Sequence, residues 1–200
     1  PKTETTMRNL NLLACCGTVI TFAVSSTTIA QEKQVDVLAS RLKPLIQAHD
    51  GEVSILVRHL NSGTQFAVYD ERVMPTASLI KVAVLVAAYR EADAGRLDLT
   101  TKVELKEADK VPGSGVLTKH FSDGATLSLR DLMRAMIVWS DNTATNLVID
   151  QIGLERIAEV MEELGFKETR IHSLVFRGKT TIDPVKSEQF GLGRTTAAEM

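Results

Sequence analysis

Apolar positions first recur at helical spacing at Val35, Leu38, Ala39, Leu42, Leu45 and Ile46, with Gly51 just past the pattern. This predicts an amphipathic helix over about residues 33–49. The period then changes. Residues 53–57 and 64–69 are β-rich runs joined through Asn61-Ser62-Gly63, which predicts a hairpin. Past Pro75 the sequence turns helical again from Leu79 to Ala94, ending at Gly95. Val82, Val84, Leu85, Ala87 and Ala88 make this stretch apolar on most faces, so a central, buried helix is expected. Ser128-Leu129-Arg130-Asp131 opens a further helix with a capping-box pattern. Residues 143–151 and 154–164 read as helices, each closely followed by a glycine (Gly153, Gly165). Thr196-Ala197-Ala198-Glu199 is another capping-box start, placed at the very end of the sequence. A helix begun there has too few turns to be stable, so the chain reads as truncated. The order predicts a sheet-containing layer plus a helical region, with no internal repeat.

The N-terminus follows a different pattern. From Met7 a single positive charge, Arg8, precedes a short apolar run, then small polar residues and Ala30. That is the layout of a secretory signal peptide over residues 7–30, cleaved after Ala30. The run is too short to span a bilayer comfortably. Leu12-Leu13-Ala14-Cys15 is also similar to a bacterial lipoprotein box, a minor alternative because most of the apolar stretch follows Cys15. Residues 1–6 read as an upstream extension and 31–200 as a partial catalytic-type domain. Cys15 and Cys16 both fall in the signal, so the exported form would hold no cysteine, which suits a bacterial periplasm.

Composition narrows the function classes. The chain of 200 residues is 44% hydrophobic and 24% charged, as in ordinary globular domains. A formal net charge of −2 with no block of like charge gives no reason to expect nucleic acid or an anionic membrane as partner. Four histidines (His49, His59, His120 and His172) lack metal-ligand spacing and read as solvated or packed. No metal or cofactor is expected, and a monomer is.

The chemistry starts at Ser78-Leu79-Ile80-Lys81, at the opening of the long helix. Serine at i and lysine at i+3 share a helical face, so hydroxyl and amine can approach. A desolvated lysine has a lowered pKa and can take the serine proton, and a helix N-terminus favours a developing oxyanion. By itself the pattern is weak, since it arises roughly once by chance in such a length at average composition. Ser40-Arg41-Leu42-Lys43 is a second copy, read as a solvated face of the first helix. Ser140-Asp141-Asn142 changes the odds, because a specified tripeptide arises only about 0.03 times by chance at average usage.

The pair Ser-x-x-Lys and Ser-Asp-Asn resembles the signature of class A β-lactamases and penicillin-binding proteins. The surroundings are similar too: Pro75-Thr76-Ala77-Ser78-Leu79-Ile80-Lys81-Val82, Leu129-Arg130-Asp131-Leu132-Met133 and Leu164-Gly165-Phe166. The resemblance runs from about residue 33 to 200, the first two-thirds of such a domain. It implies an α/β, β-lactamase-like fold, with a sheet layer flanked by helices plus an all-helical region, the C-terminal strands being absent from this chain. It also implies a serine hydrolase acting on β-lactams or acyl-D-Ala-D-Ala peptides through an acyl-enzyme on Ser78. Lys81 would transfer the proton and the Ser78 N–H would help form the oxyanion hole. Ser140 would protonate the departing lactam nitrogen, while Asn142 would orient Lys81 and hydrogen-bond the substrate side chain. Asp141 would be structural.

Two departures from the family pattern stand out. Its third motif, Lys-Thr/Ser-Gly, is expected beyond Met200; Gly178-Lys179-Thr180-Thr181 comes too early and ends in threonine. If these 200 residues were the whole expressed chain, little activity and doubtful folding would follow. In class A enzymes a loop Arg-x-Glu-x-x-Leu-Asn supplies the glutamate that activates the deacylating water. Here Ser173 and Val175 fall at its arginine and glutamate. Glu188 is the one nearby substitute. A D,D-peptidase-like enzyme or penicillin-binding sensor that acylates but deacylates poorly is therefore the alternative. The loop 111–117, rich in glycine, is expected near the cleft mouth.

Overall fold

The computed structural model describes the backbone of residues 26–200 and the side-chain surroundings from residue 37 onward. The signal-peptide reading for residues 7–30 therefore lies almost wholly outside the described residues, and Cys15 and Cys16 lie outside them entirely. The predicted first helix is α1 (Ser26–Ala48). The predicted hairpin is β1 (Ile55–Arg58) and β2 (Gln65–Val68), antiparallel with Ile55 opposite Val68 and Arg58 opposite Gln65.

Next comes β3 (Met74–Pro75), a short edge strand where a proline is tolerated because its missing N–H faces no neighbour. A 3-10 turn, Ala77–Leu79, leads into α2 (Ile80–Asp93). β4 (Lys102–Glu104) pairs antiparallel with β5 (Thr126–Ser128), flanking α3 (Leu117–His120). Three helices follow: α4 (Leu129–Val138), α5 (Asn142–Ile152) and α6 (Leu154–Glu163). The predicted cap of α4 forms, the Ser128 side chain accepting from Asp131 N at 3.1 Å. The chain closes with β6 (Arg170–Ile171), α7 (Pro184–Phe190) and β7 (Gly193–Thr195). β7 lies between β3 and β6, antiparallel to both. The α/β class and the sheet-plus-helices layering hold, with the strands in three small sheets.

Burial is shared between two helices. Helix α2 is buried along Ile80, Val84, Ala87 and Ala88, but Leu79 before it, Val82 and Tyr89 are exposed. The helix enclosed on every side is α5, whose first eight residues, Asn142–Ile149, are all buried against α4, α2 and α6. The expected central burial of α2 holds along its inner side, and α5 is buried more completely because it carries polar side chains into the interior and satisfies them there. As expected, the terminal Thr196-Ala197-Ala198-Glu199 forms no helix, although Thr196 Oγ1 accepts from Glu199 N at 3.1 Å as in a helix cap. The Glu199 carboxylate instead accepts from the backbone N–H groups of Lys167, Glu168 and Thr169, at 2.8, 3.0 and 2.7 Å. It anchors the approach to β6.

The core joins α2, α4, α5 and α6 through Val84, Leu132, Met136, Ile149 and Ile157. Each such side chain contributes about 1.5–3 kcal/mol of apolar burial. Glu91 near the end of α2 ties the helices from outside: it accepts from Arg96 at 2.6 Å and from Arg156 of α6 at 2.9 Å. These guanidinium hydrogen bonds, Arg96 first, hold its carboxyl at about 2.

Candidate active site

The strand leading to Ser78 is fixed first. Thr76 N donates to Gly193 O at 3.0 Å, and Ala77 then turns at φ 42°, in the left-handed region. Ser78 thus sits in the 3-10 turn and Lys81 in the first turn of α2, one turn apart on one side.

The second pair comes from the junction of α4 and α5. Ser140 adopts φ 50°, unusual for a residue with a side chain. Asp141 caps α5 by accepting from Ala144 N at 2.9 Å, while its other oxygen accepts from Val116 N and Leu117 N at 2.6 and 2.8 Å. Asp141 is therefore a structural anchor between α5 and the 111–117 loop. Gly115 makes this approach possible: a Cβ there would lie 2.3 Å from the Asp141 carboxylate.

The four sequence-predicted residues meet around one nitrogen. Lys81 Nζ lies 2.6 Å from the Ser140 carbonyl oxygen, 2.8 Å from Asn142 Oδ1, 2.9 Å from Ser140 Oγ and 3.3 Å from Ser78 Oγ. Ser140 Oγ is 3.1 Å from Ser78 Oγ. Lys81 is only 2% exposed. Burial pushes its amine below the ordinary lysine range, and the charge of Asp141 opposes this. A neutral amine has two N–H groups and one lone pair. The Ser140 carbonyl and Asn142 Oδ1 can only accept, so they use the two N–H groups. The lone pair is left for a serine hydroxyl. The cluster can therefore hold Ser78 ready to lose a proton and Ser140 ready to relay one.

Asn142 is positioned in turn: its Nδ2 donates to Pro112 O at 3.0 Å and its N–H to Ser114 O at 3.0 Å. The 111–117 loop does reach the cleft. A cavity of about 500 Å³ opens beside Ser78, with Gly113, Ser114, Asn142, Ser173, Val175 and Phe176 in its lining. Among the described residues lining it there is no Asp or Glu. Glu188 is exposed on α7 and does not line it.

Sequence reasoning missed what holds the facing loop. Asn146, one turn beyond Asn142 and 2% exposed, accepts from Val175 N at 2.8 Å and donates to Val175 O at 3.1 Å. Its signal was the spacing: a second asparagine at i+4 shares the face of Asn142. Thr143 plays a similar part, accepting from Val111 N at 3.0 Å.

The remaining sequence candidates separate cleanly. Ser40 Oγ donates to Val37 O at 2.9 Å, and both Ser40 and Lys43 are exposed on α1. Residues 178–180 form a 3-10 turn whose Thr180 Oγ1 accepts from Leu174 N at 2.9 Å. His49, His59 and His120 are exposed. His172 is packed, donating from Nδ1 to Gly191 O at 3.0 Å and accepting at Nε2 from Arg194 at 3.3 Å. Burial lowers its pKa, which suits the acceptor role. Among the described residues no group of three or more His, Cys, Asp or Glu side chains is placed to hold a metal ion, and no helix is long and apolar enough to cross a membrane.

Comparison with known proteins adds the relatives. The profile of the beta-lactamase enzyme family matches residues 37–200. Beta-lactamase SME-1 of Serratia marcescens is 27% identical over 144 residues, 71% of this chain and 48% of the relative. Among solved structures, a beta-lactamase from Sphaerobacter thermophilus is 32% identical with a TM-score of 0.68, covering 84% of this chain and 59% of that one. A mutant of PBP-A, solved as an acyl-enzyme complex with penicillin G, is 25% identical with a TM-score of 0.65, covering 86% of this chain and 58% of that one. The chain spans about half the length of the curated relatives it matches.

Proposed function

The chain belongs to the beta-lactamase enzyme family, and from that premise we propose that it carries the acylating centre of a serine hydrolase that opens β-lactam rings through Ser78. The observation that supports this most is the single buried amine of Lys81 within reach of Ser78, Ser140 and Asn142. Ser78 Oγ attacks the lactam carbonyl as its proton passes to Lys81. The ring C–N bond breaks while Ser140 delivers a proton to the nitrogen, and Lys81 reprotonates Ser140. Water then cleaves the acyl ester and releases Ser78. The nucleophile and both proton relays of the first half of this cycle are side chains of the cluster, and the oxyanion falls to backbone N–H groups, that of Ser78 among them.

A second reading concerns turnover. Val175 and Phe176, with no carboxylate beside them, favour an enzyme of D,D-peptidase or penicillin-binding type, one that forms the acyl-enzyme and releases it slowly. Incubation with a penicillin, followed by intact mass over time, separates the two. A transient adduct with turnover supports the hydrolase; an adduct lasting hours supports the slow form. Ser78→Ala must abolish the adduct, and an adduct that survives it sinks the Ser78 assignment. The apolar segment after Met7 supports export to a periplasm or beyond, which the N-terminal mass of the exported protein tests.

A further inference from the structure

Ser78 borders two recesses, and the proposed acylation orients a substrate between them. One is the cavity already described. The other is lined by Thr76, Leu79, Val82, Ile137 and Ser140, together with Lys81. Ser140 protonates the departing nitrogen on the reading above, so the leaving half of a lactam faces the second recess. The acyl half, with its side chain, then faces the first. On that reading, we propose that Phe176 is a specificity-determining residue that selects neutral, aromatic acyl side chains.

Three observations carry this. The backbone of Phe176 stands at φ 56°, a conformation that a bulky side chain rarely adopts. It is held there by the Asn146 clamp on Val175 and by the turn that Arg177 N closes onto Leu174 O at 3.1 Å. Yet the ring buys no core packing, being 64% exposed. Instead its ring edge faces Gly113, and both residues line the cavity. A Cβ on Gly113 would stand 3.1 Å from Phe176 Cε2, and the glycine's φ of 90° disfavours any side chain there. Finally, that wall also carries Leu174, Val175 and Leu192 beside the small Ser173 and Ser187, and among the described residues the lining has no charged side chain. An aromatic side chain on the acyl group gains ring contact and apolar burial here. A carboxylate or ammonium in the same place loses water and meets no counter-charge among the described residues.

The test uses three penicillins with one nucleus: benzylpenicillin, carbenicillin, which adds a carboxylate beside the same ring, and the nucleus without an acyl side chain. Adduct formation on Ser78 is timed by intact mass. Benzylpenicillin is expected to acylate at least about tenfold faster than carbenicillin. Phe176→Ala should lower the ratio of benzylpenicillin to bare-nucleus rates about tenfold. Phe176→Gly relieves the backbone and must lower the ratio as Phe176→Ala does, which separates ring contact from loop folding. Equal rates for benzylpenicillin and carbenicillin overturn the proposal, as does a ratio unchanged in both variants. In either case the adducts themselves leave Ser78 standing. No adduct with any probe overturns both.

Discussion

On the Lys81 side of the cleft, Ser78, Ser140 and Asn142 converge on one buried nitrogen, Ser78 from the 3-10 turn before α2 and the other two from the α4–α5 junction. On the opposite side, residues 173–176 line the same cavity with Val175 and Phe176 and no carboxylate, and the loop is held through its backbone by Asn146. On the proposed function, the first wall is set for proton transfer before any substrate arrives. The second is organised for shape. On the proposed chemistry, forming the acyl-enzyme and releasing it are therefore set by different walls, and each can be changed without the other.

The largest effect is expected on the polar wall. Lys81→Met keeps the volume and removes the base, and adduct formation should slow about a thousandfold while the thermal transition stays within a few degrees. A folded Lys81→Met protein that acylates at the original rate would remove lysine from the proton path. The corresponding gain belongs to the other wall. Val175→Glu places a carboxylate in the lining beside Ser78, and the adduct lifetime should shorten about a hundredfold. Its formation rate should change little. An unchanged lifetime in a folded Val175→Glu protein would mean that residue 175 does not reach the ester.

A third change attacks the support of the apolar wall. Asn146→Ala leaves Val175 N–H and C=O without their partner at a buried position, a loss of about 2 kcal/mol. In a domain of this size that lowers Tm by roughly 4–8 °C. Selectivity between penicillins should fall with it, because Phe176 follows directly on the clamped residue. A Tm within one degree of the original would show that the two Asn146 hydrogen bonds contribute no net stability.

How far the sequence reached depends on whether its signals are local. Helices α1, α2, α4, α5 and α6 and the β1–β2 hairpin follow from period, caps and glycines within one window. Strands β3, β6 and β7 were invisible, since each is two or three residues long and pairs across a distance, Met74 with Thr195 and Arg170 with Arg194. The polar residues Asn142, Thr143, Thr145 and Asn146 are all buried, which no local pattern shows, because loops at 111–118 and 173–176 fold back to bond most of them. Ser78, Lys81, Ser140 and Asn142 were legible as two spaced motifs, and the structure brings them within hydrogen-bond reach. Asn146 and Phe176 carry no motif, and their positions emerge only when α5 faces the loop. The capping-box spacing at the end was real, Glu199 N donating to Thr196 Oγ1, but the N–H groups that take up the Glu199 carboxylate, those of Lys167–Thr169, lie far off in sequence and were not legible.

The smallest effect is a shift along the pH axis, and it probes the polar wall alone. Acylation needs the neutral Lys81 amine, so its rate should rise with pH through that pKa, which burial sets below the ordinary lysine value. Asn142→Asp replaces an amide oxygen 2.8 Å from Nζ with a carboxylate. A negative charge at that distance stabilises the ammonium form, so the pKa rises and the rising limb moves to higher pH. Below the limb the rate should drop about tenfold at any fixed pH, and above it the two proteins should converge. The adduct lifetime, set by the facing wall, should stay within about twofold. A flat displacement at every pH would point instead to lost positioning by Asn142 Nδ2, which donates to Pro112 O. That outcome would make the asparagine a holder of the 111–117 loop rather than a regulator of the lysine's charge.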